Sequence, residues 1–179
     1  MNTLKNTLLL ERLVCFDLRV CCYFNRHVER LRIRRLFAIV SRLGDGVFWY
    51  VLMAVLPVVY GLGAMEVSLR MAGASISGLI IYKLIKSFTE RPRPFVKNKN
   101  IVLGTAPLDQ YSFPSGHTLH AVSFTLIAIH FYPLLAWMLV PFALLVAMSR
   151  VVLGLHYPTD VLAGAIIGFG LALLFVSVI

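Results

Sequence analysis

The sequence predicts an all-α fold of the membrane type: a polytopic helical bundle of about five transmembrane helices, preceded by an amphipathic helix lying in the interface. Three observations lead there. Hydrophobic residues make up 59% of the 179-residue chain and charged residues 14%, with a mean hydropathy of +0.84, and a soluble domain of this size cannot cover so much apolar surface. The apolar residues fall into five stretches of span length or nearly so, and helices facing lipid need no water-soluble cover. The basic residues, 17 against 8 acids, gather between Lys5 and Arg42 and between Lys83 and Lys99. In a membrane protein such clusters point to anionic headgroups or phosphate ligands before nucleic acid.

A helix over residues 7–24 puts Leu9, Leu10, Leu13, Val14, Phe16, Val20 and Phe24 on one face and Glu11, Arg12, Arg19 and Arg26 on the other, with Asp17 interrupting the apolar side. That pattern suits a helix in the membrane interface. The arginine-rich run to Arg42 continues it, so residues 1–45 read as a basic amphipathic segment and 47–179 as the membrane core of one domain, 1–179. The same arginines also fit a plain positive-inside signal. Charges at Glu11, Arg12, Asp17 and Arg19 exclude a cleavable leader. Cys15, Cys21 and Cys22 lack metal spacing and read as free thiols.

Gly44-Asp45-Gly46 interrupts the pattern, and Val47–Ala64 follows as a first span with Pro57 as a kink. The second span, Val67–Ile85, carries Gly73, Ala74, Ser75, Ser77 and Gly78, small residues that let membrane helices approach closely. Lys86–Tyr111 is polar, basic and proline-rich, a loop with a task. Thr118–Tyr132 is the third span and Pro133 a turn. Leu134–Met148 is the fourth, containing Pro141, and Val161–Ile179 the fifth, with Gly164 and Gly168 spaced for close packing. Five spans put the Lys86–His117 loop, the Arg150–Asp160 hinge and the N-terminal segment on one side of the membrane.

Three motifs meet on that side. Pro114-Ser115-Gly116-His117 opens the third span, where Ser115 is a good N-cap and the free N–H groups of the next turn can hold an anion; taken alone, the tetrapeptide fits a helix cap beside an interfacial histidine equally well. The loop begins with Lys86, six residues and Arg93-Pro94. The hinge reads Ser149-Arg150, five residues, His156, three residues, Asp160. In this order, over residues 86–160, the chain resembles the type-2 phosphatidic acid phosphatase family of membrane lipid phosphatases. The resemblance implies a helical core shared with vanadium-dependent haloperoxidases and a mechanism through a phosphohistidine, with no metal and no cofactor.

The side chains support that chemistry. Phosphoryl transfer needs cations and N–H donors aimed at the equatorial oxygens. Lys86, Arg93 and Arg150 supply the cations, and Ser115 and Gly116 the neutral donors. His156 is the candidate nucleophile. Pro158 favours a helix starting just after it, so Asp160 lies in the first turn and can hold the imidazole and stabilise its charge. His117 is then the general acid for the leaving oxygen and later the base for water. His120 reads as a packed or interfacial residue, as do His27 and His130; Arg91, Lys97 and Lys99 read as a solvated loop face or a gatherer of headgroups, and Asp109 and Glu90 as organisers of the loop.

The resemblance implies a lipid phosphate as substrate, with undecaprenyl diphosphate, hydrolysed to undecaprenyl phosphate, as the first expectation and phosphatidic acid or phosphatidylglycerophosphate as the alternative. It implies the bacterial inner (cytoplasmic) membrane. Carrier recycling places catalysis on the periplasmic face, whereas the positive-inside rule and the parity of spans place it in the cytoplasm. Two readings of other classes stand beside it: a metal hydrolase using His117, His120, His156 and Asp160, and a non-enzymatic lipid carrier or flippase, which would have little use for the His156 and Asp160 pair. The sequence carries no indication of oligomeric state.

Overall fold

A computed structural model describes the chain from Asn2 to Ser177, with side chains from Arg12 onward. Met1, the end of the predicted fifth span at Val178 and Ile179, and the side chains of Leu9, Leu10 and Glu11 lie outside the described residues. The helices are α1 (Asn2–Asn25), α2 (Leu31–Arg42), α3 (Phe48–Tyr60), α4 (Ala64–Thr89), the one-turn α5 (Pro94–Lys97), α6 (Gly116–Phe131), α7 (Ala136–Val152) and α8 (Pro158–Ser177). Among the described residues there is no strand.

The glycines around Asp45 break the helix at a kink, as the sequence indicates, but no loop follows. A π turn, Leu43–Val47, carries α2 into α3, with Gly46 taking a φ of 134° that a residue with a Cβ would resist. The first span therefore runs from Leu31 to Tyr60 and begins inside the arginine-rich stretch, while α1 stands apart from it. Ala64–Lys97, Pro133–Val152 and Pro158–Ser177 are also long and apolar enough to cross a membrane. The predicted third span is α6, whose 16 residues reach only about 24 Å at 1.5 Å per residue, against a hydrocarbon layer of about 30 Å. It is enclosed by α4, α7 and α8.

The core of this bundle is built from Trp49, Leu56, Met71, Ile127, Leu139 and Val146. Val58, Leu134 and Trp137 stand outward at 83%, 82% and 87% exposure, as a lipid-facing surface allows. Among the described residues the one buried cation far from the loop side, Arg70 on α4, donates to Phe175 O at 2.7 Å and pairs with Glu66, so it closes carbonyls at the C-terminal end of α8 that would otherwise be orphaned.

The loop, the hinge and α1 come together at one end, as the parity of the spans requires. Gly104 N donates to Leu153 O at 3.1 Å, and Asn25 on α1 joins both segments by donating to Val102 O at 2.8 Å and Val152 O at 2.9 Å. The face that α1 turns to the protein is Asp17, Cys21 and Asn25, all buried, while Leu13, Phe16 and Tyr23 are exposed. Asp17, which interrupts the apolar side in the sequence, is thus the docking side of the helix. All three cysteines are free; burial, then the Asp17 and Asp160 charges, push the Cys21 thiol up to about 12, so it packs and does not react.

Helices α6 and α8 make the closest approach. A Cβ on Gly164 would lie 2.5 Å from Ser115 O, and one on Gly168 would come closer still to Leu119 O, so the first turn of α6 rests directly on α8. Gly168→Val should therefore lower the thermal unfolding midpoint in detergent by several degrees, an overpacking cost of about 1–3 kcal/mol, whereas Gly170→Ala, with nothing within 4 Å of its Cβ position, should leave the midpoint unchanged.

Candidate active site

Each sequence-predicted side chain is delivered by the end of an element. Lys86 sits in the last turn of α4. Arg93 is the N-cap residue of α5. Ser115 caps α6, its hydroxyl accepting from Thr118 N at 3.4 Å, and Gly116 and His117 form the first turn. Arg150 closes α7. Leu155 N and His156 N both donate to Arg150 O at 3.0 Å, which folds the hinge back so that His156 faces the other groups. Asp160 lies in the first turn of α8, the helix that starts at Pro158.

Lys86, Arg93, Gly116, His117, Arg150 and His156 line one cavity of about 810 Å³. Its other wall is apolar and belongs to the spans: Trp49 and Met53 on α3, Ala72, Ile76 and Leu79 on α4. Ser115 and Asp160 are fully buried and stand behind this lining. The cavity thus joins a cationic end to an apolar flank within the membrane bundle.

His156 is buried, with Arg93 Nη1 at 3.4 Å from its Nε2 and Asp160 Oδ2 at 3.6 Å from its Nδ1. The second distance is longer than a hydrogen bond, and Nδ1 is buried without a hydrogen-bond partner; catalytic hydrogen bonds often tighten only around the substrate. Burial, followed by the charges of Arg150, Arg93 and Lys86, holds the His156 imidazole well below the usual histidine range. The ring is therefore neutral at pH 7, the form that can attack phosphorus.

Asp160 has stronger partners than His156. Its Oδ1 accepts from Arg91 Nη1 at 2.6 Å and its Oδ2 from Tyr157 N at 2.9 Å, and its carbonyl accepts from Ser115 N at 3.1 Å. Arg91 also donates to Asp17 Oδ2 at 2.7 Å and Thr159 Oγ1 at 2.8 Å, and lies over the Tyr157 ring at 4.0 Å. Arg91 is therefore part of the site's framework and not a solvated loop cation.

Sequence reasoning missed Ser41 and Asp45 as well, and gave Asp109 no partner beyond a part in organising the loop. Asp109 bridges two of the three cations, accepting from Lys86 Nζ and from Arg93 Nη2, each at 2.6 Å. Burial raises its carboxyl, but the Lys86 hydrogen bond and charge and the Arg93 charge outweigh that and hold it below the usual carboxylate range. Ser41 on α2 accepts from Arg150 Nη1, and Asp45 in the π turn lies 3.3 Å from His117 Nε2. The available signal was an acid or hydroxyl on an apolar helix face, visible for Asp17 and Asp45 but without any indication of its partner.

His120 stacks on Phe124, ring centroids 5.4 Å apart, as a packed residue would. His117, His120, His156 and Asp160 are not gathered into a metal-holding group; among the described residues no three His, Cys, Asp or Glu side chains are so placed.

Comparison with known proteins follows the same lines. The model of the PAP2 superfamily matches residues 67–179. The undecaprenyl-diphosphatase BcrC of Bacillus subtilis is 37% identical over 100 residues, 56% of this chain and 51% of that protein. Phosphatidylglycerophosphatase B of the same organism is 34% identical over 110 residues, 50% of this chain and 46% of that protein. The match spans about half the length of these curated relatives. A crystal structure of a transmembrane PAP2-type phosphatidylglycerolphosphate phosphatase from Bacillus subtilis superposes with a TM-score of 0.72 over 92% of this chain and 84% of that one, at 24% identity, a likeness of fold.

Asp109 occupies the cations an incoming anion would need, so Asp109→Asn should tighten orthophosphate binding about tenfold, the scale of a competing charge-assisted hydrogen bond. Titration calorimetry on the purified protein in detergent measures this directly; weaker binding by the variant would mean that Asp109 positions Lys86 and Arg93 and does not compete for them.

Proposed function

Because the chain belongs to the PAP2 superfamily, we propose that this multi-pass membrane protein is a metal-independent lipid phosphate phosphatase that converts undecaprenyl diphosphate to undecaprenyl phosphate. One observation carries the reading: a single cavity of about 810 Å³ has Lys86, Arg93, His117, Arg150 and His156 at one end and an apolar wall from α3 and α4 at the other. A substrate with its phosphate in water and its chain in lipid matches both ends. The likeness to an undecaprenyl-diphosphatase supports the choice of lipid. The likeness to phosphatidylglycerophosphatase B supports a second reading, in which the substrate is phosphatidylglycerophosphate or phosphatidic acid.

The chemistry runs in two displacements. Lys86, Arg93, Arg150 and the N–H groups at Ser115 and Gly116 hold the phosphoryl oxygens. His156 attacks phosphorus and forms an N–P bond as the P–O bond to the leaving oxygen breaks, and His117 gives that oxygen its proton. Asp160, beside Nδ1, balances the charge on the phosphohistidine. Water then attacks phosphorus and yields a proton to His117, and the N–P bond breaks to release phosphate.

The proposed location is the bacterial inner membrane, with the site on its outer face, where a lipid carrier is recycled; the arginine-rich start of the first span argues for the cytoplasmic face. A single cysteine in place of exposed Lys99, in a background lacking the native thiols, should react with an impermeant maleimide in intact spheroplasts, and a failure to label places the loop in the cytoplasm.

Purified protein should release phosphate from undecaprenyl diphosphate in EDTA, and His156→Ala should abolish turnover and the acid-labile phosphoenzyme. A phosphoenzyme surviving in that variant would reverse the two histidines. The acid limb of kcat/KM that reports protonation of His156 should lie below the usual histidine range, since burial and three cations disfavour the imidazolium.

A further inference from the structure

The first span carries a carboxylate that the two displacements above leave unused. Asp45 lies outside residues 67–179, the part matched by the superfamily, and its Oδ1 stands 3.3 Å from His117 Nε2. One helical turn earlier, Ser41 is buried and accepts from Arg150 Nη1. One face of one helix therefore holds two members of the proposed site.

The backbone around Asp45 is built for this placement. The π turn swings its side chain toward α6 without ending the span. A Cβ on Gly44 would lie 2.7 Å from the Val146 side chain, which would have to shift, and the φ of 134° at Gly46 favours glycine there. An acid within a membrane span is costly and tends to be retained for a task.

The task follows from the neighbours of His117. Arg150 on α7 and Lys86 on α4 are cations, His156 in the hinge and His120 on α6 are further titratable groups, and Arg93 and Asp109 from the loop share the cavity. Cations around an imidazole favour its neutral form, and a carboxylate in contact with the ring favours its protonated form. Asp45 is the acid in contact with the ring.

We propose that Asp45 is a positioning residue for the leaving-group proton: its carboxylate holds the His117 imidazolium in place, so that one N–H proton passes to the leaving oxygen as the P–O bond breaks and the neutral ring stays anchored to receive a proton from water. This rests on the phosphatase reading, with His117 as its acid.

Leaving groups separate that role from a structural one. An alkoxide needs a proton to depart, whereas p-nitrophenolate does not. In the purified full-length protein, Asp45→Asn should cut kcat/KM for dodecyl phosphate about 100-fold, the scale of general acid catalysis, and should change kcat/KM for p-nitrophenyl phosphate less than about threefold. Asp45→Glu, which keeps the carboxylate, should recover part of the dodecyl phosphate activity, and it supplies the same two-substrate comparison if the asparagine variant does not purify folded. Equal losses on both substrates, or undiminished dodecyl phosphate turnover, would overturn the role of Asp45. A wild-type protein that hydrolyses neither substrate nor undecaprenyl diphosphate would instead overturn the phosphatase reading.

Discussion

A single buried carboxylate, Asp160, sets the terms for the rest of the site. It is fully buried at the start of α8, and an ion removed from water costs several kcal/mol unless donors surround it. The carboxylate recruits donors from two segments, Arg91 from the loop and Tyr157 N from the hinge, while Ser115 N from the turn before α6 donates to the backbone carbonyl of the same residue. One residue thus pins together the three stretches that carry the motifs, two through its charge and one through its main chain. The glycines at 164 and 168 allow the same junction, since α6 can rest on α8 only where no Cβ intervenes.

Arg91 carries this constraint outward to α1. A guanidinium shared between Asp160 and Asp17 uses its fork on both sides, which explains why α1 buries an aspartate and leaves Leu13 and Phe16 exposed. The charges then form two layers. Asp17, Arg91 and Asp160 lie behind His156, and Lys86, Arg93 and Arg150 lie in front of it, lining the cavity. The imidazole between them is kept neutral by burial and the front layer, and in the mechanism proposed above the back layer receives the positive charge that forms when phosphorus is bound.

What the sequence disclosed and what it concealed divide along a physical line. Residues whose role depends on local spacing were legible: the cap at Ser115, the first-turn place of Asp160 after Pro158, and the small residues along α4 and α8. Roles that depend on a partner in another segment were not. Asp17 read as a blemish on an apolar face, because periodicity records which side a residue occupies but not what meets it there. Arg91 read as a loop cation, because its two carboxylate partners are 74 and 69 residues away. The Gly44-Asp45-Gly46 stretch read as a break because glycine weakens helices, and it is a kink in the fold; what periodicity could not show is that a π turn joins the two helices there into one span.

The same division separates the part of the chain that matches the superfamily from the part that does not. Residues 67–179 contain every cation, donor and histidine assigned to phosphoryl transfer. The helices before them supply Asp17, Ser41 and Asp45, and each of these grips one member of the matched part: Arg91, Arg150 and His117 respectively. Long, flexible cations gathered by like charge would otherwise spread apart, and α6, too short at 16 residues to be anchored at both edges of the lipid layer, would carry His117 on an end held mainly by α8. Chemistry can therefore be read from the matched region alone, but its orientation depends on the helices that precede it.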